Sequence, residues 1–227
     1  LVGSEMCIRD SDTMVATTGR RMYLLGDIDG QFRPRSNPYD VFALGHPDPA
    51  DPLANELQGL WAQPVKGLDG FDLTVQFAEN PEPWHLCSAD LMTQCYSHIE
   101  FQFSHPQMTA IRCDLIPDDK PILFTSYTLK NTSDSVLRGS YQFTAHFHLL
   151  DAWFTHLGNE RNQGEHIEIV NNVVIATAFS NPDQWAVTAT STSKPDQLEI
   201  IDRHHQGKTA LWTYPVSYTH LTLPTIL

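Results

Sequence analysis

Two histidines separated by one residue, His146 and His148, are the most chemical-looking feature of the chain. On a strand both imidazoles leave the same face about 6.5–7 Å apart, a spacing a metal ion could bridge. A metal-dependent β-barrel would add a glutamate a few residues on; here Ala152 and Trp153 follow, and Asp151 is the only acid nearby. The plainer reading is a polar sheet face on which the two imidazoles bond to Gln142 and Thr144. His146 and His148 are kept as an alternative metal pair, and no metal is expected.

Acids crowd the next stretch, at Asp151, Glu160, Glu165 and Glu168. Glycosidic-bond hydrolysis needs two carboxyls about 5–9.5 Å apart on opposite sides of a sugar. Sequence spacing alone does not place any two of these so, and in an acidic chain they read first as solvated surface groups. Asp27-Ile28-Asp29-Gly30 resembles the start of a calcium loop, but Pro38 stands where the twelfth-position glutamate belongs. A turn between two strands is expected instead. No GxSxG, GxGxxG or P-loop pattern occurs, so no cofactor is expected.

Five tryptophans remain. A rigid aromatic plane stacks on the C–H face of a sugar at little entropic cost. Trp185 alternates with Val187 and Ala189 and reads as core. Trp61, Trp84 and Trp153 lie in or beside Gly-, Pro- and His-rich sequence, where a ring needs a reason. With Asp151 they are the candidates for carbohydrate binding or for a domain interface.

The elements that must hold these residues are strands. In 138–150, Gly139, Tyr141, Phe143, Ala145, Phe147 and Leu149 form one apolar face, with Ser140, Gln142, Thr144, His146 and His148 opposite. Residues 98–104 alternate likewise. Further strands are predicted at 22–25, 57–62, 71–77, 108–115, 122–130, 168–179, 185–190, 198–201 and 209–213. Turn signals such as Pro117-Asp118-Asp119 and Asn181-Pro182-Asp183 separate them. No window carries a capped helical period. The sequence therefore predicts an all-β fold, a large antiparallel β-sandwich of about ten to twelve strands with little helix.

Composition fits a packed domain: 41% of residues are hydrophobic, 10% aromatic and 18% charged. With 27 acids against 14 bases, the formal charge of -13 argues against a nucleic-acid or anionic-membrane partner. No stretch of about 18 apolar residues suits a membrane helix. Residues 1–11 and 215–227 resemble translated sequencing-adapter read-through, leaving 12–214 as one sandwich domain, the N-terminal part of a longer protein. Without Cys7, three cysteines remain. Cys95 and Cys113 share strand parity with apolar neighbours, which predicts buried thiols, and the odd count points to a reducing, cytoplasmic setting.

Two stretches carry a resemblance. Gly59-Leu60-Trp61-Ala62-Gln63-Pro64-Val65-Lys66-Gly67-Leu68-Asp69-Gly70-Phe71 is one. Arg112-Cys113-Asp114-Leu115-Ile116-Pro117-Asp118, followed by Tyr127-Thr128-Leu129-Lys130-Asn131-Thr132-Ser133, is the other. They resemble segments of the N-terminal β-sandwich of glycogen-debranching-like glycoside hydrolases, over roughly residues 22–155. The resemblance implies a sandwich that packs on a six-hairpin α/α catalytic barrel and lends loops to its sugar site. The family's catalytic acid and base lie in that barrel, so the catalytic residues stay unknown here.

The expected function is thus a non-catalytic sandwich domain of a carbohydrate-active enzyme, partnered by an oligo- or polysaccharide and by a catalytic domain of the same chain. A stand-alone carbohydrate-binding module is the alternative from another class. A metal-dependent β-barrel enzyme using His146 and His148 is the third reading.

Overall fold

The computed structural model describes residues 14–32, 58–62, 65–150, 165–178, 186–202, 208–218 and 221–226. Among these there is no helix, and every strand pairing is antiparallel. No described helix is therefore long and apolar enough to cross a membrane.

The first sheet contains β1 (Met14–Thr18), β2 (Tyr23–Asp27), β3 (Gly59–Ala62), β4 (Val65–Phe77), β10 (Leu137–Leu150), β15 (Lys208–Tyr218) and β14 (Gln197–Asp202), in that spatial order. The two-residue β5 (Trp84–His85) shares the edge of β4 with β3. The second sheet runs β11 (Glu165–Val170), β12 (Val173–Ala178), β13 (Ala186–Ser191), β16 (Leu221–Ile226), β9 (Phe124–Asn131), β8 (Met108–Leu115), β7 (Ile99–His105) and β6 (Leu91–Gln94). Each sheet has eight strands. The total exceeds the predicted ten to twelve because β1, β5 and β6 are short pieces without a strong apolar alternation, one predicted strand divides into β11 and β12, and β16 falls within 215–227, which the sequence assigns to read-through.

Alternation explains why the sheets meet face to face. Phe71, Leu73, Val75 and Phe77 of β4, with Tyr141, Phe143, Ala145, Phe147 and Leu149 of β10, bury one face of the first sheet. Ile99, Phe101 and Phe103 of β7, with Tyr127 and Leu129 of β9, do the same for the second. The layers join in one core, where the Tyr127 ring meets the Phe143 ring edge-on at 6.3 Å. Each fully buried large side chain stabilises the sandwich by about 1.5–3 kcal/mol.

Two predicted features need correction. The strand predicted over 168–179 is a hairpin: Asn171 (φ 52°) and Asn172 (φ 65°) form a two-residue turn, and Val170 pairs with Val173. Asparagine tolerates the left-handed region that such a turn requires. The parity of β8 is also the reverse of that predicted. Met108, Ala110, Arg112 and Asp114 point inward, so Ile111 is exposed and Cys113 only half-buried. Arg112 and Asp114 can turn inward because each neutralises the other. Cys95 is likewise half-buried, and Cys87, Cys95 and Cys113 are free thiols.

The segment 215–227, expected to be extraneous, contributes strand here. Pro215 to Tyr218 extend β15 along β10, and β16 lies between β9 and β13. Pro224 has no N–H for a ladder. It pairs with Ser126 on one side only, since the β13 pairing covers just Thr225 and Ile226.

Candidate functional site

On the outer face of the first sheet, the alternation that buries Phe143, Ala145 and Phe147 presents His146 and His148 on the other side of β10. The two imidazoles engage separate carboxylates across the neighbouring strand. His146 Nε2 lies 3.1 Å from Asp72 Oδ2, and its Nδ1 lies 3.1 Å from Thr209 Oγ1. One tautomer satisfies both contacts: Nε2–H donates to the carboxylate, and the Thr209 hydroxyl donates to Nδ1. His148 Nδ1 meets Asp69 Oδ1 at 3.1 Å. The partners thus come from β4 and β15, not from Gln142 and Thr144 of the same strand. Among the described residues, no cluster of three metal-type donors includes either histidine.

Asp69 also receives the Lys66 ammonium at 2.6 Å. Lys66 is completely buried, so its charge is sustained by that ion pair and by the Trp61 ring, whose centroid is 5.9 Å from Nζ. Burial pushes the Asp69 carboxyl upward. The hydrogen bond from His148 and the charge of Lys66 outweigh that push and hold it below the ordinary aspartate value.

Beside the Asp72–His146 pair lies an open cavity of about 380 Å³ whose lining includes Gln31, Phe32, Phe71, Asp72, His85 and His146. Local rules build its walls. The turn after β2 closes through Gly30 N–H to the Asp27 carbonyl at 2.8 Å and Asp27 N–H to the Gln31 carbonyl at 2.8 Å. Gly30 sits at φ +82°, and a Cβ there would lie 2.9 Å from the Phe101 ring. The turn then delivers Phe32 onto β4, where its ring stacks obliquely on Phe71 at 4.9 Å. Gly70, at φ +153°, makes room, because any Cβ would overlap the Phe32 ring. His85 on β5 is oriented by Thr74, Nδ1 to Oγ1 3.0 Å.

A buried charge pair anchors that wall from the second sheet. Arg112 Nη1–H donates to the Gly30 carbonyl at 2.7 Å, and Arg112 Nε lies 3.0 Å from Asp114 Oδ2. The guanidinium is packed over Phe101, Phe71 and Phe32 at 4.2, 5.2 and 5.6 Å. Thr125 donates its hydroxyl to Asp114 at 2.6 Å. Burial pushes the Asp114 carboxyl up, and Arg112 and Thr125 offset only part of that push. The Arg112-x-Asp114 stretch therefore fixes the loop that carries Phe32.

A second open depression, about 510 Å³, borders Arg20, Arg21, Met22 and Tyr23. It has neither carboxylate nor imidazole in its lining. The smaller cavity combines aromatic rings, a carboxylate and two imidazoles, and so has more chemistry.

Of the tryptophan candidates, Trp61 lies on β3, is 3% exposed and stacks on Tyr23 with centroids 6.3 Å apart. Trp84 on β5 is half-buried, with its ring 5.2 Å from that of His105. Neither is in the cavity lining. Asp151 and Trp153 lie outside the described residues, as do Glu160 and Trp185; Glu168 is exposed on β11. No sequence motif marks Asp72, His85 or Phe32, and only the strand register brings them to His146.

The chain matches no family model and no curated protein.

Proposed function

We propose that this sandwich is the non-catalytic, carbohydrate-contacting domain of a glycoside hydrolase, and that the cavity at Asp72 and His146 takes a sugar ring. The observation that carries the reading is the composition of that cavity. The half-buried Phe32 ring offers aromatic surface to C–H faces, backed by the buried Phe71. Asp72 accepts hydroxyl hydrogen bonds, held in place by His146, and His85 Nε2, opposite the nitrogen bonded to Thr74, can donate or accept.

Hydrolysis asks for two carboxyls flanking the bond, whereas Asp72 is the one carboxylate among the described lining residues. That is a binding set. The resemblance in the Trp61 and Arg112 stretches supplies the enzyme class and the expectation of a helical catalytic partner. In this reading the two stretches act indirectly. Lys66, Gly70 and Arg112 shape the strand and loop beneath the sugar, and Trp61 packs under them.

The test is calorimetric titration of the protein with a panel of linear gluco-oligosaccharides. Binding is expected, and Asp72→Ala should weaken it about ten- to a hundredfold, the effect of losing hydrogen bonds to a charged group. No affinity for any member, or equal affinity in Asp72→Ala, would contradict the reading. Measurable glycosidase turnover would contradict the non-catalytic assignment.

A further inference from the structure

The hairpin that joins β6 to β7 gathers three side chains of a different kind. Gln94 pairs with Ile99, and the four residues between them close through Cys95 N–H to the His98 carbonyl at 2.9 Å. The turn sets Cys95 beside His98, and Glu100 follows two residues later on the outward side of β7, opposite to the buried Ile99 and Phe101. The Cys95 thiol, an imidazole nitrogen of His98 and a Glu100 carboxylate oxygen all lie within 4.8 Å of one another. All three residues are half-buried.

We propose that Cys95, His98 and Glu100 form a site for a borderline-soft divalent metal ion of the zinc type. A thiolate, an imidazole and a carboxylate are zinc and cobalt ligands, and a sulfur donor selects against calcium and magnesium. With metal–ligand bonds of about 2.0–2.3 Å, tetrahedral geometry places donor atoms roughly 3.3–3.7 Å apart. His98 Nε2 and Glu100 Oε1 are already 3.4 Å apart. The Cys95 thiol, within 4.8 Å of both, closes on them by side-chain rotation. The opposite ring nitrogen has a partner of the kind seen in metal sites: His98 Nδ1 lies 3.1 Å from the Ser97 hydroxyl, which can accept from Nδ1–H and so leave the Nε2 lone pair to the metal.

Binding forms the metal–sulfur bond as the Cys95 S–H proton leaves to solvent. A divalent ion with one thiolate, one carboxylate and one neutral imidazole is charge-balanced. Three protein donors leave the remaining coordination to water. The site is independent of the Asp72–His146 cavity and does not rest on the carbohydrate reading.

The test is titration of the reduced, chelator-treated protein with cobalt(II), followed by zinc competition against a chromogenic chelator. A thiolate-to-cobalt charge-transfer band at one equivalent is expected. Cys95→Ser should abolish the band, and His98→Ala should weaken zinc binding about tenfold or more. Cys87→Ser, at an exposed cysteine outside the cluster, should change neither. Cobalt binding without the band, zinc affinity unchanged in His98→Ala, or loss of the band in Cys87→Ser would overturn the site. Where a variant folds poorly, the wild-type spectrum still decides: a wild-type protein without the band overturns the site by itself.

Discussion

Asp69 of β4 and His148 of β10 face one another at 3.1 Å, Oδ1 to Nδ1, and the same carboxylate oxygen holds the buried Lys66 ammonium at 2.6 Å. The folded state thus keeps Asp69 ionised to lower pH than the unfolded chain does. A depressed carboxyl stabilises the fold fully above its unfolded pKa of about 3.9 and loses that contribution as pH falls through the folded value. Wild type should exceed Asp69→Asn in stability near neutral pH, and the gap should narrow below about pH 4. Urea unfolding across that range measures it; a gap that widens on acidification would contradict the assignment.

Arg112 and Asp114 form an ion pair whose side chains are 3% and 0% exposed. Removing one partner leaves a buried charge, and Arg112→Met should cost about 3–5 kcal/mol of unfolding free energy. Arg112→Met/Asp114→Leu should cost less than Arg112→Met alone, because the orphaned carboxylate is gone. Chemical denaturation of both variants decides this, and a double variant weaker than the single would show that the pair is not the main term.

Gly70 combines φ +153° with direct contact against Phe32. Gly70→Ala should destabilise the protein by about 1–3 kcal/mol from backbone strain, and it should also displace Phe32 from the cavity wall. The thermal midpoint reads the first effect and sugar affinity reads the second. An unchanged midpoint would remove the close-packing argument.

Cys113 should resist alkylation. Burial and the negative charge of Asp114, Glu100 and Cys95 push its thiol up to about 11, so little thiolate exists at pH 8. In chelator-containing buffer, iodoacetamide should modify exposed Cys87 well before Cys113, as followed by peptide mass spectrometry. Equal rates would place Cys113 in a more open setting.

The strong alternations were legible in the sequence. The predicted 108–115 strand coincides with β8, and 138–150 lies within β10, because a strand buried on one face must repeat its apolar residues every second position. Orientation was less legible. On β8 the ion pair turned inward, so a rule that sends charge to solvent assigned Cys113 to the wrong face. Asn171-Asn172 hid a hairpin inside one apparent strand. The partners of His146 and His148 lie 74 and 79 positions away and depend on β4 register, which local pattern does not encode. The Cys95, His98 and Glu100 group has no sequence signature, because a turn folds it together and its spacing matches no standard zinc pattern.

The carbohydrate reading is tested most directly by backbone amide chemical-shift mapping during titration with a gluco-oligosaccharide. Saturable shifts are predicted at Gly30, Gln31, Phe32, Asp72 and Leu86, the backbone that surrounds the Asp72–His146 cavity. Absence of saturable shifts, or shifts confined to Arg20, Arg21 and the depression beside them, would contradict it.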